Sequence, residues 1–509
     1  MQKTNPCYAA YTRLLREELV PAMGCTEPVA IAYACAKARD VLGAAPCRAA
    51  LWVSGNIIKN VKSVVVPNTG GGKGIGTAAA IGFAVGRAER ELQVISAVTD
   101  EERAEMARLL ADCPITVTPA EGKEVFDILV EAHTDAHCAR VRITGFHTNI
   151  VLVELDGRVL ESGGRQAAGP SPAAALLTVR DILDFAATAD LADVWDLLDR
   201  QIRFNTAIRD EGLTGRWGAA IGCTLLRCYG TDVAVRARAA AAAGSDARMG
   251  GCELPVVINS GSGNQGMTAS LPVIEYAAAL GASEEQLLRA LLVSNLLTIH
   301  LKTGIGRLSA YCGAVSAGCA AGAAIAWLHG GGYEEVAHTL VNSLAIVSGI
   351  ICDGAKPSCA AKIASAVDAG ILGWQMYLSG QQFYAGDGIV RKGVEETIKT
   401  VSRVGRDGMF DTDREILKTC PSLFFFSRQT ARRPKRGGGA LFSASRGRPR
   451  QAAAILFFSL PPGAAASSAS RPRPPARPGQ SACPARDRRP PGRGARICTA
   501  GPGACNGGE

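Results

Sequence analysis

A tight turn and the start of a helix are encoded by residues 24–31, which read Gly24-Cys25-Thr26-Glu27-Pro28-Val29-Ala30-Ile31. Thr26 is predicted to be the N-cap, because the acid and the proline that follow it are both favoured in a first turn. The helix is predicted to run to about Leu42 and to end at Gly43. Cys25 would then precede a helix N-terminus, where the macrodipole is expected to lower the pKa of its thiol. A small residue that simply fits a tight turn is the alternative interpretation of this cysteine.

The residues on both sides of this turn predict an α+β fold. Residues 8–42 predict two helices interrupted at 21–25, and a short helix is expected at about 101–111. Strand-like runs dominate from about residue 47 to 165, and they include residues 51–53, 61–66, 140–144 and 150–155. From about 175 to 418 the pattern is long, Ala-rich and helical. The fold class is therefore α+β, with a mixed α/β N-terminal region followed by a mostly α-helical domain.

The same patterns divide the chain into four predicted segments. Residues 1–46 carry the N-terminal helices and the Cys25 motif, 47–170 form an α+β domain, 171–420 form the helical domain, and 421–509 form a basic tail. The tail holds 13 of the 25 prolines and shows no sustained period, so it is predicted to be disordered. RNA binding is one interpretation of its arginines. Phenylalanine patches among those arginines, without any pattern of a folded RNA-binding module, favour a non-native extension.

Charge and apolar patterning restrict the partners and the location. The net charge of +9 arises from the tail, which has 16 basic and 2 acidic residues, whereas the rest of the chain has 39 basic and 44 acidic residues. The body is acidic, so no nucleic-acid partner is expected. No stretch offers the roughly 18 uninterrupted apolar residues of a membrane helix, and the start lacks an apolar signal segment. A cytoplasmic location is expected, where the 17 cysteines indicate metal binding or catalysis rather than disulfides.

Three cysteines of the helical domain lie on predicted loops or helix ends. Cys312 begins a small-residue helix, Cys352 closes a helix through residues 344–351, and Cys359 ends a loop that contains Gly354 and a proline. The loop allows Cys352 and Cys359 to converge, and helix N-termini would stabilise the negative charge of thiolates bound to a metal group. Zinc is the competing metal, but neither a CxxC pair nor a nearby histidine pair is present.

A glycine-rich loop of the helical domain presents polar side chains and free backbone N–H groups. It spans residues 260–268, and its candidate substrate-binding residues are Ser262, Asn264 and Gln265. Such a loop can hold a carboxylate in an anion-binding nest. A simple connection between helices is the alternative interpretation.

Two further features are predicted to be structural. Residues 69–76 contain several glycines and a lysine, yet they fit neither the phosphate-binding P-loop nor the dinucleotide fingerprint, so they are interpreted as a turn. His147 and His300 lie in apolar or strand-like surroundings, and each is predicted to be a hydrogen-bonded structural residue.

Taken together, several segments resemble a known family, the L-cysteine desulfidases, which are related to the iron–sulfur L-serine dehydratases through their α-chain domain. The motifs that carry the resemblance are Pro21-Ala22-Met23-Gly24-Cys25-Thr26-Glu27-Pro28, Phe146-His147-Thr148-Asn149-Ile150-Val151, Ser245-Asp246-Ala247-Arg248-Met249-Gly250-Gly251, Ser260 to Gly266, Ile351-Cys352-Asp353-Gly354-Ala355 and Thr412-Asp413-Arg414-Glu415-Ile416. The resemblance runs from about residue 8 to 418 and is specific, because long motifs occur in the right order. It stops at the tail, which supports the non-native interpretation of that segment.

The resemblance implies a site and a reaction. Cys312, Cys352 and Cys359 would ligate a 4Fe-4S cluster with one iron left open, and Cys25 would be the catalytic thiol, as proton acceptor or as an occasional ligand of that iron. The implied reaction is a β-elimination, in which L-cysteine loses sulfide and the remaining aminoacrylate hydrolyses to pyruvate and ammonia. An open iron can polarise a thiolate leaving group while a base takes the α-proton. The expected partner is therefore a small amino-acid substrate, and a homo-oligomeric state is left open.

Three alternatives compete with this interpretation. An L-serine ammonia-lyase would use the same cluster, although Cys352 and Cys359 are more closely spaced than in the dehydratases, which makes L-serine a less safe substrate. A pyridoxal-phosphate lyase would need a Schiff-base lysine that the sequence does not expose, and the three cysteines argue for iron. A non-catalytic iron–sulfur sensor would not need the amino-acid-sized polar loop at residues 260–266.

Overall fold

The computed structural model describes residues 1–122, 124–164 and 172–419, so the predicted tail at 421–509 lies outside the described residues. Among the helices of these ranges, none has the length and apolar character needed to cross a membrane. The described chain contains eight strands and sixteen α-helices, which enclose two large hydrophobic cores. The predicted α+β class is confirmed, because one core lies beside a sheet and the other lies among helices.

The strands form a six-stranded mixed sheet and a two-stranded ribbon. Their bounds are β1 (Pro21–Met23), β2 (Arg48–Val53), β3 (Ile115–Pro119), β4 (Asp127–His133), β5 (Cys138–Thr144), β6 (Ile150–Leu155), β7 (Arg158–Ser162) and β8 (Pro255–Val257). The sheet order is β3-β2-β4-β5-β6-β7, with β2 and β3 parallel and the other neighbours antiparallel. Leu51, Val130 and Val141 are buried on one face, as the two-residue period of a strand requires. The ribbon pairs β1 with β8.

The first five helices are α1 (Pro6–Glu18), α2 (Thr26–Leu42), α3 (Gly55–Val61), α4 (Gly74–Val85) and α5 (Asp100–Asp112). α2 is buried along most of its length and packs against both the sheet and α4. Gly82 of α4 allows this close approach, because a Cβ at that position would lie 2.3 Å from the carbonyl oxygen of Ala32. α1 joins the helical core instead, through side chains that include Tyr11 and Leu15.

The remaining helices form the helical region, and α12 lies at its centre. They are α6 (Val179–Thr188), α7 (Trp195–Gly212), α8 (Ile221–Tyr229), α9 (Val233–Met249), α10 (Gly263–Leu280), α11 (Glu284–Thr303), α12 (Gly313–Leu328), α13 (Tyr333–Val347), α14 (Cys359–Leu378), α15 (Val394–Arg403) and α16 (Phe410–Lys418). α12 is buried from Ala314 to Ala326 and contacts α10, α11, α13 and α14. Its small residues permit this crowding, since a Cβ on Gly322 would lie 2.3 Å from the carbonyl oxygen of Gly370 in α14.

Most of the predicted elements are confirmed. The helix expected at about 101–111 is α5, and the strands expected at 51–53, 140–144 and 150–155 lie in β2, β5 and β6. Gly43 ends α2 in the left-handed conformation, as predicted. The division of the chain into folding units at residues 46 and 170 stays a prediction.

Two predicted elements are wrong. α3 ends at Val61, and the following valines form no strand within the described chain beyond an isolated bridge between Val65 and Lys73. Pro67 cannot donate a ladder hydrogen bond, so the run ends there. The helix expected through 344–351 ends at Val347, so Cys352 lies in an irregular segment rather than at a helix end.

We expect Gly322→Ala to destabilise the helical core. The added Cβ would meet the Gly370 backbone, so α12 and α14 must move apart, which lowers the free energy of unfolding by about 1–3 kcal/mol. Gly76→Ala is the matched control, because Gly76 lies within α4 and its added Cβ meets nothing within 4 Å. That change should be neutral or should stabilise the protein by up to about 1 kcal/mol. Urea unfolding measures both variants, and equal midpoints would contradict the close contact of α12 with α14.

Candidate active site

Backbone pairing holds two of the predicted metal-ligating cysteines together. Cys312 is the N-cap of α12, and Cys352 lies in the segment between α13 and α14. The Cys312 N–H donates to the Ile350 carbonyl oxygen at 3.2 Å, and the Cys352 N–H donates to the Ala310 carbonyl oxygen at 2.6 Å. This short antiparallel bridge brings the two cysteines close enough for their thiols to influence each other.

The third cysteine, Cys359, follows a loop that packs on α3. Cys359 is the first residue of α14, and its Sγ lies 3.6 Å from the Gly354 carbonyl oxygen. Gly354 has a φ of +104°, and a Cβ there would lie 2.3 Å from the Lys59 carbonyl oxygen, so the turn requires glycine. Asp353 anchors the loop through ion pairs with two nearby lysines.

A buried ion pair fixes the surface under this loop. The Lys59 side chain is 1% exposed, and its ammonium pairs with Asp413 of α16. A buried ammonium needs such a counter-charge, because transfer out of water costs several kcal/mol that only a close partner offsets. The motif at residues 412–416 therefore supplies the acid that neutralises Lys59 and ties α16 to α3.

The electrostatic setting of the three thiols suits metal binding. Burial raises the pKa of Cys312 and of Cys359, and the nearby sulfur of Cys352 raises both further. A bound metal group ionises such thiols outright. Lys302 is buried without an ion pair among the described residues, and burial lowers its pKa to about 8, whereas Cys352 and Cys312 raise it. A buried cation beside two of the three thiols is expected where the occupied site carries negative charge, so the residues fit a thiolate-bound cluster.

The spacing of the sulfurs favours a cluster over a single ion. Zinc with Zn–S bonds of about 2.3 Å would hold tetrahedral sulfurs about 4 Å apart. In the described ranges, the one set of three potential ligands whose atoms all lie within 4.8 Å of one another consists of Glu131, His133 and Cys138. At least one pair of the three loop sulfurs is therefore more than 4.8 Å apart, which agrees with ligands that bind different irons.

Neighbouring cations disfavour metal binding by Glu131, His133 and Cys138. His133 Nε2 lies 2.9 Å from Glu131 Oε1 and 3.8 Å from the Cys138 sulfur. Arg48 Nη2 lies 3.4 Å from His133 Nδ1, and Arg140 Nε lies 3.5 Å from Glu131 Oε2. Two guanidinium groups at these distances repel a bound cation. We therefore interpret these three side chains as a hydrogen-bonded network of the sheet.

The pairing of β1 with β8 fixes the position of Cys25. Met23 pairs with Pro255, and the chain then turns at Gly24, whose φ is +60°. A Cβ at Gly24 would lie 2.2 Å from Pro67, so no other residue fits. Cys25 follows as the N-cap of α2 and is 2% exposed.

An apolar cluster joins Cys25 to the metal-binding loop. Cys25 packs with Val64 and Met249, and Ala355 and Cys359 pack against these three residues. The structure thus brings the N-terminal thiol beside Cys359, one of the predicted ligands, although more than 300 residues separate the two in sequence.

The predicted N-cap is wrong by one residue, because Cys25 occupies that position. The Thr26 hydroxyl does not cap the helix. It lies 3.0 Å from the Gly261 carbonyl oxygen and 3.1 Å from Glu27 Oε2, and so links α2 to the glycine-rich loop.

The predicted low pKa of Cys25 is also wrong. Burial raises its pKa well above the ordinary value, and the Glu27 carboxylate adds to this, which outweighs the effect of Arg248 and of the helix dipole. The Cys25 thiol donates to Glu27 Oε2 at 3.1 Å, and Asn60 Nδ2 donates to Glu27 Oε1 at 2.9 Å. Burial alone would raise the pKa of Glu27, but the Cys25 hydrogen bond and the Arg248 guanidinium lower it. The thiol therefore keeps its proton next to an ionised carboxylate.

The predicted substrate loop also reaches the cysteines. Ser262 is the half-buried N-cap of α10, and Asn264 accepts a hydrogen bond from a buried arginine at 3.1 Å. Gln265 is buried, and its Oε1 has no hydrogen-bond partner within the described chain. A Cβ on Gly313 would lie 2.6 Å from the Gln265 side chain. Because Gly313 follows Cys312, the loop borders the three-cysteine site.

His147, for which the sequence predicts only a structural role, lies beside the glycine-rich loop. Its Nε2 has no hydrogen-bond partner among the described atoms, and its ring lies 4.7 Å from that of Phe126. A Cβ on Gly261 would lie 3.1 Å from His147 Cε1. Burial lowers the pKa of His147 to about 4, although Glu27 raises it, so the imidazole is neutral. The sequence signal that could have indicated this position is its place in the motif at residues 146–151, between the strands β5 and β6.

His300 behaves as predicted, whereas the turn predicted at 69–76 is confirmed only up to residue 73, because residues 74–76 begin α4. His300 Nε2 lies 2.8 Å from Glu395 Oε2, a hydrogen-bonded structural contact between α11 and α15. Residues 69–73 form a turn that leads into α4.

Comparison with known proteins places these features in a family. Residues 89–418 match the family described as serine dehydratase alpha chain. A UPF0597 protein of Desulfitobacterium hafniense is 57% identical over 420 residues, which cover 82% of this chain and 97% of that protein. UPF0597 proteins of Lachnoclostridium phytofermentans and Finegoldia magna are 50% and 47% identical, over 81% and 80% of this chain and 99% and 98% of their own lengths.

The fold, the thiol-rich site and these matches define a serine dehydratase-like enzyme of the lyase type. The chain belongs to the serine dehydratase alpha chain family. The predicted relationship to the serine dehydratases is thus confirmed, while the choice of L-cysteine as substrate stays a prediction. The family match ends at residue 418, next to the predicted start of the tail.

We expect Asp413→Asn to destabilise the protein by about 3–5 kcal/mol, because it leaves the Lys59 ammonium buried without a counter-charge. Asp411→Asn is the matched control in the same helix, since its 86% exposed carboxylate lies 3.6 Å from Arg414, an ion pair of little energetic value. Chemical denaturation of both variants gives the two values. An Asp413→Asn protein as stable as the control would show that the pair does not hold α16 in place.

Proposed function

We propose that the protein is an iron–sulfur-dependent carbon–sulfur lyase that degrades L-cysteine to hydrogen sulfide, pyruvate and ammonia in the cytoplasm. The observation that carries this proposal is the packing of Cys359 against the apolar cluster of Cys25, which puts a thiol–carboxylate pair beside the three-cysteine site. Cys312, Cys352 and Cys359 would hold a 4Fe-4S cluster. When bound, a cluster with three protein ligands supplies a Lewis-acidic iron for the sulfur leaving group.

Cys25 is proposed as the catalytic residue, with Glu27 as its proton partner. At rest the proton stays on the Cys25 thiol. For turnover it moves along the hydrogen bond to Glu27 Oε2, an uphill step that is part of the barrier, and the sulfur then takes the α-proton of the substrate. The carbon–sulfur bond breaks, sulfide leaves, and a double bond forms between the α- and β-carbons. Water hydrolyses the resulting aminoacrylate to pyruvate and ammonia. Asn60 holds the second oxygen of Glu27, so the carboxylate keeps its orientation.

Ser262, Asn264 and Gln265 are proposed to bind the amino-acid part of the substrate. They form the start of α10, where first-turn N–H groups favour a carboxylate. The unpartnered Oε1 of Gln265 offers an acceptor for the substrate ammonium group. The loop borders Cys312 through Gly313, so a bound amino acid would lie next to the cluster.

The lining of the site favours a thiol leaving group over a hydroxyl. Val64, Met249 and Ala355 surround Cys25 with apolar groups, apart from a thioether sulfur that is a weak acceptor. An unpaired hydroxyl in such a place costs about 1–3 kcal/mol, whereas a thiol packs as a small hydrophobe. L-Serine, the second candidate substrate, is supported by the family description.

Anaerobic reconstitution of the full chain with iron and sulfide tests the proposal. We expect about four irons per chain and the release of sulfide and pyruvate from L-cysteine. The kcat/KM for L-serine should be lower than that for L-cysteine by about 10-fold at least. Ala in place of Cys312, Cys352 or Cys359 should remove both iron and activity. Cys319→Ala, a buried cysteine of α12 outside the site, should remove neither. Activity in the triple Ala variant would refute the cluster, and faster turnover of L-serine would refute the substrate.

We expect Cys25→Ser to bind the cluster and to lose about 100-fold or more in kcat, because a hydroxyl does not replace a thiol as proton acceptor. Cys35→Ser is the matched control, since Cys35 is fully buried in the same helix and remote from the apolar cluster of Cys25. Iron content and sulfide release are measured side by side. Near-normal turnover would remove Cys25 from the mechanism, and loss of iron would make it a ligand.

A further inference from the structure

Arg248 is a buried cation that forms no ion pair within the described residues, although the Glu27 carboxylate is near enough for the guanidinium to lower its pKa. It lies in the last turn of α9, within the motif at residues 245–251, and is 2% exposed. Its Nε donates to the Gly24 carbonyl oxygen at 2.8 Å and its Nη1 donates to Asn264 Oδ1 at 3.1 Å, and both acceptors are neutral. Within the described ranges, no carboxylate oxygen lies within 4.0 Å of this guanidinium. Buried charges in proteins are normally paired, so this arrangement points to a partner from outside the chain.

The guanidinium lies against the start of α10. A Cβ on Gly263 would lie 2.4 Å from Arg248 Nε and 2.9 Å from its Cζ, so a glycine at the first helical position lets the guanidinium approach. Ser262, the N-cap, makes no side-chain capping bond. The N–H groups of the first turn therefore add their partial positive charge to that of Arg248. Two positive features meet at a position where no carboxylate of the described residues lies within ion-pair distance of the guanidinium.

An unpartnered acceptor lies next to this positive region. Gln265 belongs to the same first turn of α10, is 4% exposed, and has no hydrogen-bond donor for Oε1 among the described residues. A free α-amino acid carries a carboxylate that matches the guanidinium and an ammonium group that matches this oxygen. Among the residues described, the Arg248 guanidinium lacks a paired anion and Gln265 Oε1 lacks a hydrogen-bond donor. One zwitterionic amino acid supplies both.

The other charges around the loop are already balanced. Arg307 lies on the other side of the loop, where its Nη1 would be 3.1 Å from a Cβ on Gly261, and it pairs with Glu18 at 2.5 Å. Glu27 accepts hydrogen bonds from Cys25 and Asn60. Arg307 therefore already has a counter-charge in Glu18, whereas Arg248 has no such ion pair within the described residues.

We propose that Arg248 binds the α-carboxylate of the substrate and restricts the site to free α-amino acids. This inference rests on the proposed function for the nature of the substrate. Asn264 holds the guanidinium in orientation, and the first turn of α10 supplies further donors to the same carboxylate. An ester, an amide or an amine without a carboxylate leaves Arg248 buried and unpaired, so such compounds are rejected.

The test measures binding of L-alanine, which has the carboxylate and the ammonium group but no leaving group, to the reconstituted full chain by titration calorimetry. We expect L-alaninamide, which lacks the negative charge, to bind about 100-fold more weakly than L-alanine or worse. Arg248→Met should weaken L-alanine binding by a similar factor and leave the affinity for L-alaninamide unchanged. Arg236→Met, which removes an arginine of the same helix that pairs with Glu275, should bind L-alanine like the wild type.

Asn264→Asp tests the same carboxylate site if the Arg248→Met protein does not fold. This change places a carboxylate beside Nη1 and completes the ion pair within the chain, so the thermal unfolding midpoint should stay equal or rise. L-Alanine should then bind more weakly than it binds to Asn264→Ala, which loses the amide without adding a charge. Similar affinities of these two variants for L-alanine would overturn the inference.

Turnover distinguishes this inference from the proposed function. Arg248-dependent binding of L-alanine by a protein that releases no sulfide from L-cysteine would refute the proposed function and uphold the carboxylate site. Equal L-alanine affinities of the wild type and Arg248→Met would overturn the carboxylate site whatever the turnover. Absence of L-alanine binding to the wild type would overturn it as well.

Discussion

Three residue pairs between β1 and β8 hold the parts of the site in register. β1 leads directly into the turn that carries Cys25, and β8 leads into the polar loop that begins α10. Arg248 adds a second tie, because its two hydrogen bonds reach the Gly24 carbonyl oxygen and Asn264. Without this ribbon, α2 would belong only to the core beside the sheet, and the thiol of Cys25 would have no fixed position relative to the three cysteines of the helical region.

The site gathers charges that are stable in the interior only with partners. Lys59 has its partner within the fold in Asp413, and Glu27 is held by hydrogen bonds. Lys302 lies near the thiols of Cys312 and Cys352, and Arg248 forms no ion pair within the described residues. Stability and occupancy are therefore linked, since a ligand that binds only the folded state stabilises it. The region around the cysteines and the polar loop should gain the most from that linkage.

The sequence was informative where a local signal and the tertiary structure agree. Gly354 and the nearby proline indicated the loop that returns Cys359, and Gly43 indicated the end of α2, because both depend on backbone preferences that one residue type satisfies. The pKa of Cys25 could not be derived, since burial and the orientation of Glu27 outweigh the helix dipole. The setting of Arg248 was equally hidden, because an unpaired charge becomes evident only when its neighbours are known.

The Lys59–Asp413 pair joins residues that are 354 positions apart, and this separation bears on biosynthesis. A ribosome releases the chain from the N-terminus, so Cys25 emerges long before the loop and the helix that bury it. Domains generally fold as units during synthesis, and contacts of such long range form late. The thiol of Cys25 therefore stays open to oxidants and to other metals until almost the whole body of the protein has left the ribosome. A ligand held jointly by Cys312, Cys352 and Cys359 can bind only after all three have emerged, so loading of the three-cysteine site belongs to the maturation of the nearly finished chain.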